Sequence, residues 1–391
     1  MNLKKLRCSC EYIRMKKTVL TFFIILSIPA IGISQNLPKD TLLGNVKKVR
    51  EKVIFLTEKE NPQMLYYDDY GHSGFRGPEL TMSHFQNVWY YGKFCSYINY
   101  ERHFDEQKKV SKETWFGKKD NFIKSYSYIY DKKNRLIRTV DSSEYSIETT
   151  NHYFLENRDF IFENIITENL EDNMFSYCHN TYKNGKIILT KYIDEHGIID
   201  EYTNHYDEKG KLTHQTYKVP YRWKKVYDNT QSSGIQDSIN MTYKNLVNEY
   251  DLEGRLIKTQ RFELSSEEGY KPSMYDEKTY NYKRKNLAMT GEVNKDYQSY
   301  KHYRYDESNR IIGQYCCDKD VSKSKMVQKY TYKDGRIATL NYSEAGSSHE
   351  KAQKHKISYT YKFDDTKNWT EIIKTVDGKE LYKWIREIEY Y

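Results

Sequence analysis

An all-β chain of tandem antiparallel β-hairpins, forming an extended, twisted or spiralling sheet, is predicted by three observations. Forty of the 391 residues are Tyr. Tyr recurs with Asp at strand-like ends before a Gly or Asn corner, at intervals that hold one hairpin each. Finally, the hydrophobic fraction is 38% with Tyr counted in it, below the roughly 45–50% apolar content of compact domains. A thick aliphatic core of enzyme type is therefore disfavoured. Disorder is disfavoured as well, because aromatics make up 15% of the chain and Pro is only 6, the reverse of a disordered composition.

From the N-terminus, Met15-Lys16-Lys17 precedes an apolar run from Thr18 to Ile31, and Gly32-Ile33-Ser34 follows before Gln35. The run is shorter than the roughly 20 residues of a membrane span. With a charged start and a small-x-small ending, it predicts an export signal over 1–34, cleaved after Ser34, with the start at Met1 or Met15. Once that signal is cleaved, no stable membrane span is expected. The signal holds six of the 63 Lys+Arg and one of the 55 Asp+Glu, so the formal charge falls from +8 to +3 without it. The remaining charges alternate in sign, which argues against nucleic acid as a partner. The expected location is the periplasm, the cell surface or the medium.

Residues 35–104 are expected to form an N-terminal β segment with a long loop around the Gly-rich stretch Tyr70–Pro78, followed by the aromatic cluster Trp89-Tyr90-Tyr91. Within it, residues 57–104 fit the repeat period poorly, which makes them a candidate for a non-repeat function.

Residues 105–391 carry the repeats. The fullest copies are Tyr128-Ile-Tyr130-Asp131 with Asn134-Arg135-Leu136, Tyr206-Asp207 with Gly210-Lys211-Leu212, Tyr250-Asp251 with Gly254-Arg255-Leu256, and Tyr303-Arg-Tyr305-Asp306 with Asn309-Arg310-Ile311. Weaker copies are anchored at Tyr153, Tyr182, Tyr227, Tyr282, Tyr332 and Tyr361. Tyr-x-Tyr places two rings on one face of a strand. Asp suits the first position of a turn, and Gly or Asn suits its left-handed corner. The repeat Asp residues are accordingly expected to cap turns and not to bind calcium, since no Asp-x-Asp-x-Asp-Gly loop accompanies them.

This pattern resembles the YD (tyrosine-aspartate) repeat of the Rhs family, and more closely the small exported Rhs-like proteins of Bacteroidetes. The resemblance covers about residues 41–391. It includes the opening Leu43-Gly44-Asn45-Val46 and the closing Tyr361-Lys-Phe363-Asp364 with Asn368-Trp369 and Arg386-Glu-Ile388-Glu-Tyr390-Tyr391. Large Rhs toxins end in a self-cleavage segment and a toxin domain, whereas this chain ends in a strand-like repeat, so toxin activity is not implied. About ten units are too few for the large closed shell of those toxins.

Cys95, Cys178, Cys316 and Cys317 lie beyond the signal and allow three pairings. The spacing of Cys and His suggests no zinc site, no nucleophile elbow is present, and no pair of carboxylates can be chosen from sequence. The expectation is a non-enzyme without cofactor: an exported cell-envelope scaffold that is structural or binds an unidentified envelope protein. The alternative is a carbohydrate-binding module using exposed aromatics. For either, Trp89, Tyr90, Tyr91, Trp115, Trp223 and Trp369 are the candidate contacts, because Trp, unlike Tyr, is not accounted for by the repeat; Trp384 shares that property.

Overall fold

The structure, a computed structural model, describes residues 40–57 and 78–391, apart from 96, 118, 170, 172–173, 194–198, 220–221, 228–231, 238–240, 266–270 and 344–352. The export signal and most of the Gly-rich stretch lie outside the described residues. Strand β1 (Val46–Phe55) is followed by a helix, α1 (Pro78–Tyr91), and then by β2 (Asn99–Phe104), β3 (Val110–Phe116), β4 (Phe122–Tyr130), β5 (Leu136–Ser143) and β6 (Ile147–Glu156). Next come β7 (Phe160–Asn169), β8 (Met174–Lys183), β9 (Lys186–Ile193), β10 (Ile199–Tyr206) and β11 (Leu212–Val219), with a separate two-stranded ribbon of β12 (Arg222–Tyr227) and β13 (Ser232–Asp237). The remainder are β14 (Met241–Tyr250), β15 (Leu256–Ser265), β16 (Lys271–Lys283), β17 (Asn286–Asn294), β18 (Gln298–Tyr305), β19 (Ile311–Cys316), β20 (Lys325–Lys333), β21 (Arg336–Ser343), β22 (Lys354–Phe363), β23 (Trp369–Val376) and β24 (Lys379–Tyr390).

Apart from the ribbon, each strand pairs antiparallel with its neighbours in sequence, in one 22-stranded sheet. β1 pairs with β2 on one side and with β24 on the other. The sheet is thus a closed barrel, which corrects the expectation of an open, spiralling sheet. Closure gives the two end strands hydrogen-bond partners that an open sheet would leave to solvent or to another chain. The β1–β24 seam runs from Val46↔Tyr390 to Phe55↔Tyr382. The helix α1 follows the Gly-rich stretch and was not anticipated from the sequence pattern.

The repeat now has a physical description. Asp131 Oδ1 accepts from the backbone N–H of Lys133 and Arg135 at 2.8 and 2.9 Å, and its Oδ2 accepts from Arg135 Nε at 2.8 Å. Asp306 does the same for Ser308 and Arg310, and Asp251 for Arg255. The corner residues Asn134, Asn309 and Gly254 have φ of 66°, 60° and 79°, where an ordinary side chain is strained. Two of the weaker copies use a different turn, whereas the Tyr361 copy keeps the Asp turn, with Asp364 Oδ1 accepting from Asn368 N–H at 2.9 Å. Asn184-Gly185 and Asp334-Gly335 both have paired positive φ, which is the two-residue I′ hairpin.

The tyrosines join one hairpin to the next. The hydroxyls of Tyr130, Tyr206, Tyr250, Tyr282, Tyr305, Tyr332 and Tyr361 donate to the backbone carbonyls of Val110, Ile187, Leu212, Leu256, Leu287, Ile311 and Ile337, at 2.6–3.1 Å. Each acceptor lies at or near the start of the strand that precedes the tyrosine's own. The cation of the preceding turn lies over the same ring, as Arg255 does over Tyr282 at 4.7 Å and Arg310 over Tyr332 at 4.5 Å. These seven tyrosines thus fix one unit to the next by a hydrogen bond, and at Tyr130, Tyr206, Tyr250, Tyr282, Tyr332 and Tyr361 by a cation–π contact as well. Tyr332→Phe keeps the ring and deletes the bond to Ile311, and is expected to cost about 0.5–1.5 kcal/mol. Adding Tyr250→Phe, in a distant hairpin, is expected to be additive within about 0.5 kcal/mol. Guanidinium unfolding of the single and double variants checks both values.

Directly paired residues share a face, so one face can be followed round the ring from Val49, Glu51 and Val53 of β1. On β2 and β3 it carries Tyr100, Arg102, Glu113 and Trp115; on β23 and β24, Ile372, Lys374, Tyr382, Trp384 and Arg386. This tyrosine face also carries α1. Met82, Phe85 and Trp89 form a buried stripe, at spacings that put them on one side of the helix. Phe85 and Trp89 meet Trp384 at ring separations of 4.6 and 5.3 Å. The end of the helix is capped from three strands. Gln328 Nε2 donates to Tyr91 O at 2.7 Å, Tyr359 OH to Trp89 O at 3.1 Å, and Lys374 Nζ to both Trp89 O and Phe94 O at 2.9 Å. Carbonyls at a helix C-terminus lack intrahelical donors and carry partial negative charge, so a cation is favoured there.

Candidate functional site

On β4 to β9 the tyrosine face carries polar side chains where the helix-bearing strands carry Trp. The unit formed by β6 and β7 breaks the repeat. Tyr153, expected as an anchor, is exposed and lies on the opposite face. The ring under the preceding cation is Phe154, with Arg135 4.2 Å from its centroid. Phe has no hydroxyl to donate, and the next tyrosine is also diverted: Tyr182 donates at 2.5 Å to Glu163 Oε2 and not to a carbonyl.

Glu163 is the centre of the resulting network. Its Oε1 meets His152 Nδ1 at 2.9 Å, and its Oε2 also accepts from Asn180 Nδ2 at 3.1 Å. Thr190 donates to Asn180 Oδ1 at 2.9 Å, and the Cys178 thiol reaches the same oxygen at 3.8 Å. Burial works to raise the Glu163 pKa, yet the bonds from His152, Tyr182 and Asn180 outweigh it and hold the carboxyl below its ordinary value. Burial pushes the Cys178 thiol up to about 11, so it is not a ready nucleophile.

Nearer β4 lies a second group. Asp141 and Glu148 are direct cross-strand partners, and Lys124 reaches Asp141 at 2.6 Å. Burial raises both carboxyls, and the charge of Asp141 raises Glu148 further. The Lys124 ammonium works against burial at both carboxyls. Further along the face, Tyr202 and Tyr217 stack at 4.5 Å with an interplanar angle of 6°, so each ring covers a face of the other.

The pH dependence of Glu163 has a definite sign. Its folded-state pKa is depressed, so its contribution to stability is full above the unfolded-state value and is lost as pH falls through the folded-state value. Glu163→Gln is therefore expected to lower stability at neutral pH and to flatten its decline on acidification. Urea midpoints at pH 7 and across the acid range, for wild type and variant, test this; parallel curves would reject it.

The candidate contacts from sequence lie elsewhere. Trp89, Trp115 and Trp369 are buried, as is Trp384. This corrects their reading as exposed platforms: Trp89, Trp369 and Trp384 stack among themselves against the helix, and Trp115 lies 5.2 Å from Tyr100. Tyr90 is half-buried against Tyr359. Tyr91 is exposed at the helix end. The Trp223 side chain lies outside what the structure describes. Cys316 and Cys317 are bonded to each other, and Cys95 and Cys178 are free. The Glu163 network was missed because His, Glu and Asn meet across three strands without a local motif. The failed Tyr anchor at 153 was the available signal.

No protein-family model and no curated protein sequence matches the chain. Among solved structures it is similar to TcdB2-TccC3 at 12% identity and a TM-score of 0.27, covering 74% of this chain and 18% of that one. A Tc holotoxin pore from Photorhabdus luminescens is similar at 10% identity and a TM-score of 0.24, over 73% of this chain and 19% of that one. A porin-like protein from Bacteroides uniformis is similar at 8% identity and a TM-score of 0.23, with 89% of this chain and 99% of that one covered. The chain thus spans less than a fifth of the length of the first two of these.

Proposed function

We propose that this chain is an exported cell-envelope scaffold that docks another protein on the opposite face of β4, β6 and β8. The observation that carries this reading is a set of large apolar side chains on that face: Ile129, Ile147, Tyr153, Leu155 and Phe175, each 46–66% exposed. A gathering of this kind marks an interaction surface more often than scattered single residues do. Closure of the barrel supports it, since a barrel without free edges cannot take a partner by strand addition and must offer a face. Elsewhere the opposite face is charged, with Arg50 and Lys52 on Asp120, Lys48 on Glu389, and Lys362 on Glu371. These charges also interrupt the apolar band that a membrane-spanning barrel needs. Export rests on the charged, apolar and small-residue pattern of residues 1–34.

The test is an envelope pull-down with the full chain and with Tyr153→Ser/Leu155→Ser. A specific envelope protein retained by wild type and lost by the double variant, at equal thermal stability, is the expected result. Equal retention by both would reject this docking face. N-terminal sequencing of protein recovered from the envelope tests export separately, with Gln35 the expected first residue.

A further inference from the structure

Lys374 presents a problem that the scaffold reading leaves unsolved. Its ammonium is fully buried, and no carboxylate pairs with it among the described residues. Two of its three N–H groups are used by Trp89 O and Phe94 O. Its nitrogen lies 5.5 Å from the ring centroids of both Trp89 and Tyr382. Among the described residues, three further polar atoms in this joint have no hydrogen-bond partner, and all are able to donate: Trp89 Nε1, Trp384 Nε1 and Tyr382 OH. The rings that carry them touch, with Trp89 5.3 Å from Trp384 and 6.5 Å from Tyr382.

A buried unpaired charge and several buried unsatisfied donors are each costly and rarely left so. One acceptor carrying a negative charge answers both. The titratable groups beside Lys374 do not supply it. Burial pushes the Cys95 thiol up to about 12 and also raises the Tyr382 phenol, so both are neutral at pH 7. Burial brings the Lys374 ammonium down to about 8, which leaves it mostly protonated at pH 7.

We infer that the joint between α1 and the sheet binds a small monovalent anion of the halide class, held by Lys374 with the donors of Trp89, Trp384 and Tyr382. A water molecule would meet the donors and leave the charge uncompensated. A divalent anion would leave one of its charges uncompensated beside the single ammonium. The anion completes the cap on the end of α1, so its presence would set how firmly the helix is held.

The test uses the full chain in sodium chloride or bromide against sodium gluconate at matched ionic strength. Halide is expected to raise the thermal midpoint by about 2–4 °C, saturating with concentration, and crystals grown in bromide are expected to show an anomalous peak within hydrogen-bond reach of Lys374 Nζ. Lys374→Met should abolish the halide dependence. If that variant does not fold, Tyr382→Phe, which deletes one donor, should weaken halide binding by about 10-fold. Equal midpoints in halide and gluconate, or water in place of a bromide peak, would overturn the assignment.

Discussion

Arg386→Met is expected to lower stability by about 3–5 kcal/mol, the cost of removing one partner of a buried ion pair. Arg386 and Glu51 are both buried and are linked across the β1–β24 seam, with Nε to Oε1 at 2.8 Å. The guanidinium also lies 3.6 Å from the Trp369 centroid, so the substitution removes a cation–π contact as well. Met is close in volume, so the loss is electrostatic more than a matter of packing. Adding Glu51→Gln to Arg386→Met should recover much of the loss, because it removes the other buried charge of the pair. Urea unfolding of wild type, both single variants and the double variant gives the answer. The wild-type pair should respond weakly to salt, since buried charges are little screened. A single-variant loss below about 1 kcal/mol would show that the pair does not hold the seam.

Trp384→Ala is expected to cost a similar amount, about 3–5 kcal/mol, through the cavity it leaves. The Trp384 ring is 4.6 Å from Phe85, 5.3 Å from Trp89 and 4.7 Å from Trp369, and it joins the helix to the sheet. Near-UV circular dichroism should lose much of its aromatic signal while the far-UV β-spectrum persists. Limited proteolysis should then cut between β1 and β2 faster than anywhere else. If the cut rate there is unchanged, Trp384 is not what holds the helix down.

Much of the fold was legible in the sequence because hairpins are local. The Asp carboxylate caps N–H groups only two and four residues on, and the corner four residues into the turn needs a left-handed backbone. These are demands on neighbouring positions, and they leave a regular pattern. The tyrosine bond from one hairpin to the preceding one spans 18 to 26 residues in six of the seven cases, and 38 at Tyr250, where the β12–β13 ribbon intervenes. The site was much less legible. Glu163, His152, Asn180 and Tyr182 converge from three strands, and cross-strand register sets their meeting without a motif. The Trp residues misled because a residue outside the repeat pattern can be spare for binding or needed for a separate core. Trp89, Trp369 and Trp384 form such a core.

The sequence by itself determined the hairpin, its turns and the antiparallel all-β class, since each depends on interactions within one repeat interval. Only the tertiary structure decided that the sheet closes, that α1 lies on the tyrosine face, and that Glu51 and Arg386 meet although 335 residues separate them. Closure depends on twist and stagger summed over all 22 strands. No single repeat carries that sum, so it is absent from the pattern and present only in the assembled ring.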